Sequence, residues 1–289
     1  MNPSSVALPA LALVFNAFTW GVSWWPFRHL EHNGLHPLAA TALIYLLAVA
    51  VLTLARPAAW REVLQHPALW VLIAASGTTN AAFNWAVTIG DVVRVVLLFY
   101  LMPLWAVLLA RWLLKERLTR LALLRVALAL GGAMIVLWPA EGGLPLPSSL
   151  PDWLGVIGGF SFAFNNVLLR REAQRPEEAR ALAMFSGGVV VSAVLSLALG
   201  AAGSVPAPPS PAAGWMLGAA GLALVFLGGN LALQYGAARL PANATAVVMI
   251  TEVLFASASA VWLGAGAVTP ALLLGGALIC AAALLAARR

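Results

Sequence analysis

Glu252 is an acidic side chain in an otherwise uncharged run, VVMITEVLFASASAVW (247–262), and no Lys or Arg occurs from 240 to 287. A carboxylate so placed could bind an ammonium group or carry a proton. As a neutral acid it could equally hydrogen-bond a neighbouring helix, since burial favours the protonated form. Amides offer a second kind of chemistry. Asn80 and Asn84 lie four residues apart, on one face of a helix, and so do Asn230 and Gln234 at a spacing of 150. Each amide both donates and accepts. Four of them could hold a carboxylate and an ammonium without imposing net charge, or they could join helices to one another. Asn16, Thr19 and Ser23 follow helical spacing among Trp20 and Trp24; Ser161, Asn165 and Asn166 do the same beside Phe160 and Phe164. With Phe83, Tyr100 and Met102 these rings and thioethers could form an adaptable apolar surface.

Other chemistries are missing from the sequence. HLEH (29–32) is not a metalloprotease helix motif, and the four histidines lie at the ends of apolar stretches or between them. An intramembrane serine nucleophile would therefore have no base. GGFSFAF (158–164) is not a nucleophile elbow, and no G-x-x-x-x-G-K cradles phosphate. Cys280 is the single cysteine and cannot form an intrachain disulfide. No cofactor and no metal are expected.

The elements that must position these residues follow from composition. Hydrophobic residues make up 62% and charged residues 9%, against roughly 45–50% and about 25% in soluble proteins. This is the composition of a polytopic membrane protein, and it excludes a nucleic-acid-binding domain, a secreted disulfide scaffold and a disordered regulator. A crossing helix needs about 20 apolar residues. Ten stretches qualify, at roughly 6–27, 36–55, 67–89, 92–113, 119–138, 153–169, 181–201, 214–236, 242–263 and 268–287. MNPSS has no basic region and no cleavage site follows, so the first stretch reads as a retained helix. Of the 16 basic residues only Arg28 and Arg94 fall on one side of such an arrangement; the other 14 mark the cytoplasmic side and put both termini there. RREAQRPEEAR (170–180) becomes a cytoplasmic loop with a solvated charged surface. Trp24, Trp25 and Trp153 fit an interfacial belt, Trp20 a cavity, and Asp91 an N-cap neutralised by Arg94.

The two halves resemble one another. Asn80 matches Asn230, Trp112-Leu113 matches Trp262-Leu263 and Thr119 matches Thr269, all at 150; AVLTLA (50–55) matches AVLSLA (193–198) at 143. Five spans per half is odd, so the second half runs through the membrane inverted, which places a site at the midplane between halves. The expected fold is all-α: ten transmembrane helices as two inverted five-helix repeats around a central cavity. The first repeat is 1–139, a periplasmic connecting loop is 140–152, and the second repeat is 153–289.

LLFYLMPLWAVLLARWLLKERLT (97–119) resembles the signature of the EamA family in the drug/metabolite transporter superfamily, with Pro103 central and Glu116 at the following turn. The second copy, VVMITEVLFASASAVWLGAGAVT (247–269), has Thr251-Glu252-Val253 where the family often has Leu-Glu-Pro, and Gly266 in the slot of Glu116. The aromatic-rich first half is most similar to YddG-type amino-acid exporters. The resemblance implies a secondary transporter in a bacterial inner membrane. It would export amino acids, aromatic or other neutral ones included, or related metabolites by alternating access. Its partners would be a small-molecule solute and the lipid bilayer; it would be a monomer, bind no nucleic acid and not be an enzyme. A proton-coupled drug/cation efflux carrier is the first alternative and an integral-membrane enzyme the second.

Overall fold

The computed structural model describes residues 4–89, 95, 98–116, 119–138, 147–263 and 268–287. Asp91, Arg94, Gly266 and most of the connecting loop lie outside them. The helices run in the order α1 (Ser4–His32), α2 (Pro37–Ala55), α3 (Ala59–Gln65), α4 (Pro67–Ile89), α5 (Met102–Leu113) and α6 (Arg120–Leu137). They continue with α7 (Leu150–Arg171), α8 (Glu177–Ala201), α9 (Ala213–Arg239), α10 (Ala242–Met249), α11 (Glu252–Trp262) and α12 (Pro270–Ala287). Among the described residues four helices, α1, α2, α8 and α9, are long and apolar enough to cross a membrane, and α5 and stretches at Ala244–Ser259 and Pro270–Ala282 are shorter apolar helices. This is a helical, multi-pass membrane protein.

Local chemistry sets the helix starts. The His36 ring accepts from the Leu38 N–H at the head of α2, and Pro37 takes a first-turn position where its missing N–H costs nothing. Ser149 and Asp152 close a reciprocal capping box on α7. Thr119 Oγ1 accepts from the Ala122 N–H at 3.1 Å to start α6; Thr269 Oγ1 accepts from Leu272 at the same 3.1 Å to start α12. α3 falls between the expected spans 36–55 and 67–89, and Trp70 Nε1 anchors it by donating to the Val63 carbonyl at 2.7 Å.

Two spans expected as unbroken helices, 92–113 and 242–263, are interrupted by turns at residues 100–101 and 250–251. The interruptions share one hydrogen-bond pattern. Leu101 N–H donates to Leu98 O at 3.2 Å, Leu104 to Leu101 at 3.0 Å and Trp105 to Leu101 at 3.3 Å. At a spacing of 150, Thr251 donates to Val248 at 3.0 Å, Leu254 to Thr251 at 3.0 Å and Phe255 to Thr251 at 3.4 Å. The chain tightens to three-residue bonds at both places. Pro103 starts α5 and cannot donate to a preceding turn. At the second break no proline is present; instead Thr251 Oγ1 donates to the Val248 carbonyl at 2.7 Å.

α4 packs against α7 and α8, α1 against α9, and α6 against α12. The α4–α8 crossing is backbone to backbone: a Cβ on Gly77 would overlap the Gly187 carbonyl, and one on Gly187 the Ile73 carbonyl. α1 approaches the second break equally closely, since a Cβ on Gly21 would stand 2.8 Å from the Glu252 carbonyl oxygen. A second apolar cluster, with Leu30, Leu35, Ile44 and Phe226, joins α1, α2 and α9. Outward surfaces are apolar, as lipid requires. Trp112 and Trp262, 150 apart, are 77% and 88% exposed.

Candidate functional site

A cavity of about 30 Å³ lies where the breaks meet the long helices, room enough for ordered water. Phe99 reaches it from just before the first break, and Met249 and Glu252 flank the second. α4 supplies Ser76, Thr79, Asn80 and Phe83; α1 supplies Trp20; α7 supplies Phe162 and Asn165. Met184 comes from α8, and Asn230 and Leu233 come from α9. Glu252 is the one ionisable side chain among these. Among the described residues nothing hydrogen-bonds or ion-pairs its carboxylate, and burial is the one influence on it. Rings pack around it in tilted pairs, Phe83 on Phe99 at 4.8 Å and Trp20 on Phe226 at 4.6 Å.

The amides are held by a residue that the sequence reading passed over. Tyr45, buried on α2, donates its hydroxyl to Asn80 Oδ1 at 2.8 Å, and Asn230 hydrogen-bonds the same hydroxyl. Asn80 Nδ2 donates to the Ser76 carbonyl at 2.8 Å, and Asn230 Nδ2 to that of Phe226 at 2.9 Å. The pair related by the 150 spacing therefore meets through one phenol. Its signal in the sequence was a lone tyrosine in the apolar stretch ALIYLLAV (42–49).

Of the residues expected at a site, Trp20, Asn80, Phe83, Asn230 and Glu252 line the cavity. The others lie elsewhere. Asn84 Nδ2 donates to Thr41 Oγ1 at 2.6 Å and ties α4 to α2. Tyr100 and Met102 are buried at the first break. Phe160 is 41% exposed and packs edge-on against Trp105, and Phe164 stacks on Phe160. The opposite face of α7 carries Phe162 and Asn165 into the cavity, and Asn166, fully buried, accepts from Asn165 Nδ2 at 3.5 Å. Trp25 and Trp153 are exposed, in keeping with a belt, whereas Trp24 is half-buried and donates to Ser259 Oγ on α11 at 3.0 Å.

Gln234 belongs to a layer beyond the cavity, toward the end of the bundle that carries most of the basic residues. There the expectation of a solvated charged surface over 170–180 fails at Arg180, and Arg170 is only half-exposed. Arg180 is buried, its Nε donating to Gln234 Oε1 at 3.4 Å and its Nη1 to the Glu172 carbonyl at 3.1 Å. Arg170 Nη1 donates to the Ala238 carbonyl at 2.7 Å. Glu116, in the turn after α5, accepts from the Ala242 backbone at the head of α10 and faces Arg170. Burial raises its pKa above the ordinary 4.5; Arg170 and the Ala242 N–H pull the other way. A charged run on a loop reads as surface, and only the packing of α8 against α9 reveals the burial.

One carboxylate, three amides and two hydroxyls converge at the cavity among aromatic and thioether groups, a set that can hydrogen-bond a polar head beside an apolar body.

The comparisons with known proteins agree with a membrane carrier. Residues 7–138 match the model of the EamA-like transporter family. A Pseudomonas aeruginosa protein described as an uncharacterised transporter is 37% identical over 130 residues, which is 44% of this chain and 41% of that protein. The chain thus matches well under half of that relative's length. A solved crystal structure described only as that of a protein has a TM-score of 0.77 at 21% identity, covering 96% of each chain, and so shares the fold. Over residues 7–138, which lie in its first half, the chain is thus similar to the EamA-like transporter family.

Proposed function

We propose that the chain is a secondary transporter whose two five-helix halves, inverted with respect to each other, alternate access to the central cavity. The observation that carries this reading is the pair of breaks. Residues 100–101 and 250–251 bear the same backbone bonds at a spacing of 150 and bring Phe99 and Glu252 to one cavity beside Asn80 and Asn230. Discontinuous helices meeting at the midplane of inverted repeats are the usual construction of such sites. The caps at Thr119 and Thr269 and the exposed Trp112 and Trp262 follow the same spacing. The basic residues orient the chain with its termini in the cytoplasm of a bacterial cell.

The solutes are amino acids, aromatic or other neutral ones included, or related small metabolites, moved outward across the inner membrane. The amides and Glu252 serve the polar head, and Trp20, Phe83, Phe99 and Phe162 serve an apolar side chain. Proteoliposomes given a panel of amino acids, each with and without a proton gradient, test the reading. Flux of neutral aromatic amino acids above protein-free liposomes is expected; absence of flux for the whole panel overturns it. Glu252 favours a second reading, proton-driven efflux of amphipathic cations, because among the described residues its carboxylate has no partner and the cavity lining has no basic side chain. Amines moved to the exclusion of amino acids would select that one.

A further inference from the structure

The Arg180 guanidinium is only 1% exposed, yet among the described residues each oxygen at hydrogen-bond distance from it is neutral: Gln234 Oε1 at 3.4 Å and the Glu172 carbonyl at 3.1 Å. The nearest carboxylate oxygen, Glu177 Oε1, stands 4.0 Å from Nη2 on a half-exposed side chain and is already held by Arg239 at 2.8 Å. A buried cation without a close anion is costly, and at a membrane boundary it marks a place where charge is handled. Gln234 adds a second observation. Its Oε1 is fixed by Arg180, so its Nε2, buried and without a partner among the described residues, is a further donor on the same amide.

Position gives this pair a use. Arg180 lies one helical turn from Met184 and Gln234 one turn from Asn230, and Met184 and Asn230 line the cavity. A turn rises about 5.4 Å, so the pair is the next layer on the cytoplasmic side. Building on the transport reading above, we infer that Arg180 and Gln234 form an anion subsite that takes the carboxylate of the solute when the cytoplasmic side opens. In the state described here the Glu172 carbonyl and the oxygen of Gln234 stand in for the two carboxylate oxygens. A guanidinium binds a true carboxylate with charge-assisted, two-point hydrogen bonds that neutral carbonyls do not match. Gln234 Nε2 then supplies a third donor. Glu177 and Glu178 are the acidic neighbours; the first is occupied by Arg239, which keeps the approach open to an anion. The subsite selects solutes that carry a carboxylate over amines of the same body.

The experiment compares wild type, Arg180→Gln and Gln234→Leu in inside-out vesicles, with L-phenylalanine as solute and phenethylamine, the same body without the carboxylate, as competitor. For Arg180→Gln the half-saturating L-phenylalanine concentration on the cytoplasmic face is expected to rise about tenfold, as for loss of a charge-assisted bond. The maximal rate should change less than about twofold, and the preference over phenethylamine should fall by a similar factor to the half-saturation change. Gln234→Leu should move the same quantities in the same direction by less, and it carries the test should Arg180→Gln not assemble. Unchanged half-saturation and preference in a wild type that does transport L-phenylalanine overturns the subsite alone. A fall in maximal rate and melting temperature with preference intact also overturns it, as that is the signature of a structural strut. A wild type that moves neither compound above protein-free liposomes overturns the transport reading and this inference with it.

Discussion

The hydroxyl of Tyr45 donates to Asn80 Oδ1 at 2.8 Å while Asn230 hydrogen-bonds its other side, so one phenol on α2 couples α4 to α9 at the cavity wall. Replacing Tyr45 with Phe keeps the ring contacts with Phe185 and Phe226 and leaves Asn80 Oδ1 without its donor. The expected cost is about 1–3 kcal/mol, read as a lower melting temperature in detergent. Transport should weaken as well, because both amides lose the bond that orients them. A Phe variant with wild-type melting and flux would show that the bridge is idle.

Asn84 and Asn230 separate packing from binding. Asn84→Leu removes the bond to Thr41 and should lower the melting temperature while leaving half-saturation for solute within about twofold, the residue being off the cavity. Asn230→Leu should raise half-saturation with a smaller effect on melting. A reversed pattern, with Asn84 governing affinity, would assign that residue to the site instead.

Topology is open to chemical labelling. Gln174 is exposed in the turn between α7 and α8. A Gln174→Cys variant in a Cys280→Ala background should react with a membrane-impermeant maleimide in inside-out vesicles and not in intact cells. Reaction from outside intact cells would reverse the orientation or break the ten-span arrangement.

Glu252→Gln keeps shape and much of the hydrogen-bonding capacity but removes titration. With the carboxylate at the cavity wall and no basic partner among the described residues, the variant is expected to keep solute-for-solute exchange, at a raised half-saturating concentration, and to lose proton-driven accumulation. Accumulation equal to wild type would make Glu252 a structural hydrogen-bonder.

What the sequence disclosed depended on how a residue's chemistry stands out from its surroundings. Glu252, Asn80 and Asn230 could be read because polar groups in an apolar stretch are conspicuous, and the 150 spacing paired the two asparagines. Thr119 and Thr269 showed for the same reason. Phe160 and Phe162 could not be told apart, because an aromatic ring is as suited to lipid as to a cavity and composition does not say which face of α7 points inward. The break at residues 250–251 was hidden since Thr251 does by a side-chain bond to Val248 what Pro103 does by lacking an N–H. Arg180 was hidden because its neighbours in sequence are charged, and burial is decided by α9, distant in the chain.

The crossing of α4 and α8 has a meaning for which sequences this fold can accept. Gly77 and Gly187 face one another's backbone, so any replacement adds a Cβ where a carbonyl already stands. Hydrophobicity, charge and size then cease to matter, and alanine is rejected for the same reason as tryptophan. In a saturation-mutagenesis map of α8, lipid-facing positions such as Val190 and Val194 should tolerate most apolar letters. Gly187 should be a blank column, set by backbone geometry and blind to side-chain chemistry.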